Sequence, residues 1–380
     1  VFESVSGITT TGSTILVEIE QASPGILIWR ALLQWLGGVG IVVMAMAVLP
    51  MLSVGGMQLF RTESYERAEN VVPRATQLAG GIGLVYTGLT ALWAVMLALA
   101  GMDMFDAVAH SMTTLATGGY STRTASIGAF ESVAVEWIII TGMIVGSLPF
   151  AHYLAMVRGG WRSLLNDPQV RCFLILAVGL VLLLIGHLIQ TGLGFGEAVR
   201  QASFNGISIM TGTGYVSANF SAWGGFATTI LLIVMFIGGC GGSTTCGIKV
   251  FRLQVLASAA KVQISRLLRP HAVVLAYYNK RPVSVEVMDS VMGFFYLFIL
   301  GFVLIAIMLG MAGLDFVTAL SGAATSISNV GPGLGEVIGA DGNFSTLPNS
   351  AKWIMSFAML LGRLEIFTVL VMLNPAFWQR

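Results

Sequence analysis

Charged side chains are scarce in this sequence. Asp, Glu, Lys and Arg account for 10% of the 380 residues, whereas a soluble domain carries about 25%. Cysteine and histidine are rarer still, with three and four copies, and their positions support neither a disulfide framework nor a zinc site. No nucleophile paired with a base is recognisable, so we do not expect an enzyme. No organic cofactor and no nucleic acid partner is expected either.

Long apolar runs are what the sequence does contain. Hydrophobic residues make up 56% of the chain, and the mean hydropathy is +0.85. A bilayer crossing needs roughly 20 apolar residues, and seven runs reach that length: 29–59, 76–101, 132–157, 171–192, 224–251, 288–313 and 350–378. The sequence therefore predicts an all-α membrane protein embedded in a lipid bilayer.

The cations are distributed unevenly between the two ends of these runs. If successive runs alternate in direction, 14 of the 19 Lys and Arg residues fall on one side. The four on the opposite side are Arg30, Arg123, Arg200 and Lys352. Arg363 lies within the last run. The positive-inside rule makes the basic side, with the linkers 61–74, 158–171 and 249–281, cytoplasmic.

Clusters of Gly, Ser and Thr recur four times on the less basic side. They read GITTTGSTIL (7–16), LATGGYSTR (115–123), MTGTGYVSANF (210–220) and ISNVGPGLGEV (327–337). Aligned on Gly12, Gly119, Gly214 and Gly331, they are separated by 107, 95 and 117 residues. A short stretch precedes each cluster and an apolar run follows it. The sequence thus predicts a repeated unit of crossing, short helix, loop and crossing.

The short stretches 1–7, 104–116, 195–210 and 315–327 are too brief to span a bilayer, which is typical of re-entrant helices. Irregular backbone at membrane depth is tolerated only where it is buried in protein or lines a water-filled path. Glycine permits positive φ, so four such loops can turn rings of carbonyl oxygens toward one axis and replace the hydration shell of a potassium ion. Repeated turns without a pore are the alternative, because internal repeats also build transporters.

The run 224–251 is interrupted by GGCGGSTTCG, in which five of ten residues are glycine. Each glycine costs about 1 kcal/mol in a helix relative to alanine. We therefore expect a break that leaves a gate loop below the carbonyl rings, with a flexible cytoplasmic linker as the alternative. The loop residues are Gly238, Gly239, Cys240, Gly241, Gly242, Ser243, Thr244, Thr245, Cys246 and Gly247.

Arg363 stands about fourteen residues into the last run, where a charge is costly and usually faces a bundle interior or water. Glu365 is two residues away, and positions i and i+2 do not face each other on a helix. The two charges are therefore expected to have separate partners. We expect Arg363 to reach the gate loop as a positive barrier in the inner pore, and a structural pairing with another helix is the alternative.

Together these motifs resemble the Trk/Ktr/HKT superfamily of potassium transporters, and most of all the bacterial TrkH-type potassium uptake subunit. The resemblance covers essentially the whole chain and rests on TTTGST, ATGGYST, TGTGY, NVGPGLGE, GGCGGSTTCGIKVFR (238–252) and LGRLEIFT (361–368). It implies four pseudo-symmetric helix, pore helix, helix repeats around a central ion pore. The repeats are 1–60, 75–160, 168–260 and 284–380, the first is truncated, and helices before residue 1 are expected.

The resemblance also implies which residues bind potassium in a selectivity filter. They are Thr10, Thr11 and Gly12, then Thr117, Gly118 and Gly119, then Gly212, Thr213 and Gly214, and finally Asn329, Val330 and Gly331. The ion is held at their backbone carbonyls. In plant relatives a serine at the first glycine position accompanies sodium preference, so Gly12 indicates potassium.

The function that the resemblance implies is a potassium-selective conducting subunit of an uptake system. It further implies a homodimer, a cytosolic TrkA-type nucleotide-binding ring, and placement in the bacterial inner membrane with the filter facing outward. A cation-coupled secondary transporter, carrying potassium with sodium or protons, is the alternative function. That mechanism predicts acidic residues in the path, and the apolar runs contain almost none besides Glu365.

The linker 249–281 carries seven cations and no acid. Attraction to anionic lipid, at about 1 kcal/mol per residue, is one explanation. The stretch VVLAYYN followed by KRPVSVEV also has the β-branched and aromatic content of a hairpin. We therefore expect this linker to dock on a cytosolic regulatory partner and to transmit its motion through Lys249 and Arg252 to the gate loop.

Overall fold

The computed structural model describes residues 1–44, 71–157, 159–160, 162–272, 274–279 and 281–373. Within these ranges the chain forms sixteen α-helices and one two-stranded sheet. The first eight helices are α1 (Phe2–Ile8), α2 (Pro24–Val43), α3 (Val71–Leu99), α4 (Met104–Leu115), α5 (Val133–Gly146), α6 (Phe150–Val157), α7 (Arg162–Asn166) and α8 (Pro168–Gln190). They are followed by α9 (Phe195–Met210), α10 (Gly224–Val234), α11 (Val250–Leu268), α12 (Val285–Met311), α13 (Phe316–Ser328), α14 (Gly335–Ile338), α15 (Asn349–Arg363) and α16 (Ile366–Leu373). The strands β1 (Tyr277–Tyr278) and β2 (Arg281–Pro282) pair antiparallel between α11 and α12.

Within the described ranges, four helices are long and apolar enough to cross a membrane as single rods. They are α2, α3 over Ala79–Leu99, α8 and α12. Large apolar side chains such as Leu84, Leu182 and Leu304 are exposed on their outer faces, as expected where the solvent is lipid rather than water. The prediction of an all-α membrane fold is confirmed.

The other predicted crossings are bent or broken. The run 132–157 becomes α5 and α6, which meet at an angle of 94°. Pro149 explains the bend, because a proline pushes the residue before it out of the helical conformation and α6 begins directly after it. The bend differs from the single crossing predicted over 132–157.

Two further runs are interrupted inside their length. The run 224–251 forms α10, then leaves the helix at Met235 and resumes with α11 at Val250, so the predicted break is present. The run 350–378 is interrupted between α15 and α16 at Leu364 and Glu365, and Glu365 has a left-handed φ of 64°. Residues 45–59 and 374–378 of the predicted runs lie outside the described ranges.

The four predicted short helices are confirmed as α1, α4, α9 and α13. Asp103 caps α4 by accepting a hydrogen bond from the Phe105 amide, and Asp315 caps α13 by accepting one from the Thr318 amide. A carboxylate at this position satisfies an otherwise unpaired N–H. Hydrogen bonds from Thr318 hold the pKa of Asp315 below its ordinary value.

These short helices connect the helix groups into a ring. α4 packs against α3, α5 and the preceding α2, and α9 packs against α8, α10 and the preceding α5. α13 packs between α12 and α15. The first short helix, α1, contacts both α2 and α15. The beginning and the end of the chain therefore meet, which brings the loops after the four short helices together.

Candidate functional site

The loops after the short helices share one backbone conformation. We call residues 10–12, 117–119, 212–214 and 329–331 the four glycine segments. Their first residues have positive φ angles of 54°, 49°, 65° and 54° at Thr10, Thr117, Gly212 and Asn329. Their last residues also have positive φ, at 88°, 78°, 78° and 113° for Gly12, Gly119, Gly214 and Gly331. A non-glycine residue at positive φ is uncommon, so three of them at equivalent positions indicate that the repeat is structural.

Each glycine segment lies against the next one in a closed cycle. The space a Cβ would occupy on Gly12 is taken by the Gly118 carbonyl oxygen, at under 3.0 Å. The same holds for Gly119 against the Thr213 oxygen, for Gly214 against the Val330 oxygen, and for Gly331 against the Thr11 oxygen. The four segments therefore surround one axis, with their middle carbonyls at the contacts between neighbours.

Side-chain hydrogen bonds stabilise the first, third and fourth glycine segments. The Thr9 and Thr11 hydroxyls are 2.8 Å apart, and the equivalent pair Thr211 and Thr213 is 2.7 Å apart. In the fourth segment, Asn329 Nδ2 donates to Thr11 Oγ1 and to the Met359 carbonyl, both at 2.9 Å. These bonds tie the segments to each other and to α15.

The second segment is braced by a residue that the sequence analysis missed. Gln34 of α2 is completely buried. Its Nε2 donates to the Gly118 oxygen at 2.6 Å, and its Oε1 accepts from the Tyr120 amide at 3.0 Å. An amide in an apolar crossing is itself a signal, since polar residues there are rare and tend to be functional.

Two arginines lie near the end of the cycle that is formed by the last residues of the glycine segments. Arg30 is 2.7 Å from Glu3 and lies 4.0 Å above the Tyr120 ring, and Arg123 is 2.7 Å from Asp106. Both line an open depression together with Gly12, Gly119 and Gly214. Because each cation has a carboxylate partner, the mouth of the cycle carries little net positive charge.

The glycine-rich loop, residues 238–247, lies at the opposite end of the segments and is buried almost throughout. Its base is closed by pairing between Ile237 and Ile248. This burial excludes an exposed cytoplasmic linker. Glycine is required at Gly238, where a Cβ would come within 3.0 Å of the Cys246 and Ile248 carbonyl oxygens.

The loop is bonded to the bend between α5 and α6. The Cys240 and Thr244 amides donate to the Ser147 and Gly146 carbonyls, and the Phe150 amide donates to the Gly242 carbonyl. Gln169 at the start of α8 accepts from the Gly241 amide at 2.9 Å. The loop therefore packs against the bend at Pro149. That proline was the feature of the sequence from which the bend could have been predicted.

The loop directly contacts the first residues of two of the glycine segments, Thr10 and Thr117. Thr117 Oγ1 is 3.2 Å from Thr244 Oγ1, and Thr10 Oγ1 is 4.0 Å from Cys246 Sγ. Thr244 Oγ1 also contacts the Leu115 and Gly146 carbonyl oxygens, at 3.0 and 2.9 Å. In this conformation the loop packs against the first and second glycine segments.

The two charges near the end of α15 have separate partners, as their spacing predicts. Arg363 donates to the Thr244 carbonyl at 3.1 Å, to Cys246 Sγ and to the Gly37 carbonyl at 2.7 Å. Glu365 instead pairs with Arg252 of α11 at 2.5 Å. The structure therefore places Arg363 against the glycine-rich loop and links Glu365 to the helix that follows that loop.

The predicted hairpin in the basic linker is present, with Tyr277 opposite Pro282 and Tyr278 opposite Arg281. Ser258 of α11 holds it, because its Oγ bonds both the amide and the carbonyl of Tyr277. Lys280, also predicted to belong to the docking surface, lies outside the described residues.

Comparison with known proteins identifies relatives along the whole chain. The family model described as TrkH, cation transport protein, matches residues 1–380. The Trk system potassium uptake protein TrkI of Halomonas elongata is 46% identical over all of this chain and 77% of its own length. The Trk system potassium uptake protein TrkH of Escherichia coli is 38% identical over all of this chain and 79% of its own length.

A solved structure has the same fold. The crystal structure of the potassium transporter TrkH from Vibrio parahaemolyticus matches 99% of this chain and 78% of that protein with a TM-score of 0.89 at 36% identity.

Proposed function

This chain belongs to the TrkH family of cation transport proteins, and from that premise we propose that it conducts potassium ions across a membrane as a subunit of a potassium uptake system. The relatives named above are Trk system potassium uptake proteins. The proposal makes the chain a transport protein and not an enzyme. Potassium is its cargo, and no organic cofactor is invoked.

The closed cycle of the four glycine segments is the observation that supports a selectivity filter. An ion that enters a narrow pore must replace its hydration shell, and rings of carbonyl oxygens can do so. Four middle carbonyls at successive contacts around one axis supply such a ring. The first and last residues of each segment add further rings above and below it.

The glycine-rich loop and Arg363 act as the gate in this proposal. The loop covers the inner end of the filter, and Arg363 holds it there through the Thr244 carbonyl. A positive charge at this depth also opposes the passage of a cation. Opening requires the loop to leave its bonds with the α5 to α6 bend and with Arg363.

The arrangement in the membrane follows from the charge asymmetry. The basic linkers face the cytoplasm by the positive-inside rule, so the filter mouth faces outward in a bacterial inner membrane. The four repeats comprise 1–60, 75–160, 168–260 and 284–380. The subunit works as a homodimer with a cytosolic TrkA-type nucleotide-binding ring. The relatives are named as Trk system proteins, which supports association with further Trk components.

Flux through the purified protein in liposomes tests this function. A potassium gradient should drive potassium flux that exceeds sodium flux at equal concentrations, and the direction should follow the electrochemical gradient alone. A coupled transporter would instead move potassium uphill when a sodium or proton gradient is imposed. Comparable uptake of potassium and sodium would overturn the assignment of the filter.

A further inference from the structure

Gln34 occupies a position that the pseudo-symmetry of the filter leaves open. In the first and third glycine segments, a pair of threonine hydroxyls braces the backbone, namely Thr9 with Thr11 and Thr211 with Thr213. The equivalent residues of the second segment are Ala116 and Gly118, which carry no hydroxyl. The second segment therefore lacks the brace that its neighbours on both sides of the cycle have.

The Gln34 side chain fills the space that this difference creates. A Cβ built on Gly118 would lie within 3.0 Å of the Gln34 carboxamide, so the glycine and the glutamine fit each other. The carboxamide bonds the Gly118 oxygen on one side and the Tyr120 amide on the other. It thereby clamps the backbone on both sides of Gly119, whose own contact with the Thr213 oxygen continues the cycle.

We propose that Gln34 is a positioning residue for ion selectivity: its carboxamide fixes the Gly118 carbonyl in the filter ring in place of the missing threonine pair. The inference rests on the proposed function, because it assumes that the ring binds the ion. An amide held by two partners cannot rotate freely, so the carbonyl it bonds keeps a fixed distance from the axis. Tyr120 extends the clamp, since its hydroxyl donates to the Glu3 and Ser13 carbonyls around the first segment.

The substitution Gln34→Leu removes both bonds while keeping a side chain of similar size. The Gly118 carbonyl is then free to tilt and to follow a smaller ion. We expect the ratio of potassium to sodium flux in liposomes to fall about ten-fold, the factor set by losing two buried hydrogen bonds, while potassium flux itself persists. Gln34→Met matches the length of glutamine but carries neither the N–H donor to Gly118 nor the carbonyl acceptor for Tyr120, so a reduced ratio is expected there too.

The matched control is Gln201→Leu on α9. The Gln201 side chain donates to Glu197, one turn away on the exposed side of its helix, so its removal should leave the flux ratio unchanged. If wild-type protein and this control fail to prefer potassium, the proposed function fails. If they prefer potassium and Gln34→Leu does so equally, only the role of Gln34 is overturned.

A second measurement separates positioning from a general structural role. The melting temperature of the purified protein in potassium minus that in sodium reports how well the filter discriminates, by the linkage of binding to stability. A merely structural residue would lower both melting temperatures and preserve their difference. We expect Gln34→Leu and Gln34→Met to shrink the difference. A preserved difference in both variants would overturn the proposal, since neither carries the N–H donor to Gly118.

Discussion

At the scale of the residue, the last glycines of the four glycine segments are held by two separate constraints, a positive φ angle and a close neighbour. Gly12 has both, with φ at 88° and the Gly118 oxygen within 3.0 Å of any added Cβ. Gly101, in the loop between α3 and α4, has only the first, with φ at 98° and no heavy atom within 4 Å. The two positions therefore separate the cost of backbone strain from the cost of disturbing the ring.

We predict that Gly12→Ser lowers potassium selectivity. A side chain at positive φ costs about 1–3 kcal/mol, and here it also displaces the Gly118 carbonyl. A disturbance of that size corresponds to a loss of about ten-fold or more in the ratio of potassium to sodium flux. The measurement is ion flux in liposomes. Gly101→Ser should share the strain and keep the wild-type ratio, and an unchanged preference in folded Gly12→Ser would contradict the filter assignment.

At the scale of the element, the buried pair of Arg252 and Glu365 joins two broken crossings. Arg252 lies in the first turn of α11, just after the glycine-rich loop, and its guanidinium stands 3.8 Å above the Phe294 ring. Glu365 occupies the left-handed break between α15 and α16. A displacement of the loop that moves α11 therefore also acts on the break beside Arg363.

We predict that the two partners are strongly coupled in stability. Removing one partner of a buried ion pair costs about 3–5 kcal/mol, whereas replacing both with apolar residues can be nearly neutral. Arg252→Met and Glu365→Leu should each lower the melting temperature in detergent by several degrees, and the double variant should recover most of the loss. Strictly additive losses in the double variant would show that the two side chains act independently.

We predict that deleting 240–246 raises basal potassium flux and leaves selectivity intact. The deletion removes Thr244 and Cys246, which contact the first and second glycine segments, and joins Gly239 directly to Gly247. Thr244→Val, which keeps the length but removes the hydroxyl contacts with Thr117, Leu115 and Gly146, should give a smaller rise. A folded deletion variant that conducts no faster than wild type would assign the loop a purely structural role.

The sequence predicts these elements unevenly, and the reason is physical. The apolar runs and short helices are readable because bilayer thickness fixes their length, and the glycine spacing exposes the repeat. The bend at Pro149 and the clamp at Gln34 depend on contacts between distant segments, with Gln34 and Gly118 separated by 84 residues. Such contacts leave no local pattern in the sequence. A proline within one apolar run and an amide within another nevertheless indicated where the bend and the clamp lie.

At the scale of the whole molecule, the basic linker is connected to the glycine-rich loop through covalent and polar links. The hairpin of β1 and β2 is held to α11 by Ser258. At the other end of α11, Lys249 Nζ donates to the Thr245 carbonyl in the glycine-rich loop at 2.5 Å. A partner that pulls on the hairpin would thus displace α11 as a rigid body. That displacement would strain the end of the glycine-rich loop, where Lys249 contacts Thr245.

We predict that neutralising Arg266, Arg269, Lys280 and Arg281 to Gln weakens the affinity for a cytosolic nucleotide-binding ring and abolishes nucleotide-dependent flux. Leu267 and Leu268 lie between Arg266 and Arg269 at the end of α11 and are 75% and 78% exposed. They give a protein partner apolar area to cover. The measurements are ring binding to the purified subunit and flux with and without nucleotide.

The control for this prediction removes the same charge from a different linker on the basic side. Arg266→Gln with Arg269→Gln is compared with Arg162→Gln with Arg171→Gln, two cations in each case. Anionic lipid responds to both pairs alike, at about 1 kcal/mol per cation, whereas a docked ring responds only to the pair it contacts. Equal effects of the two pairs on ring binding and regulation, or none from either, would mean that the charge only orients the chain in the membrane.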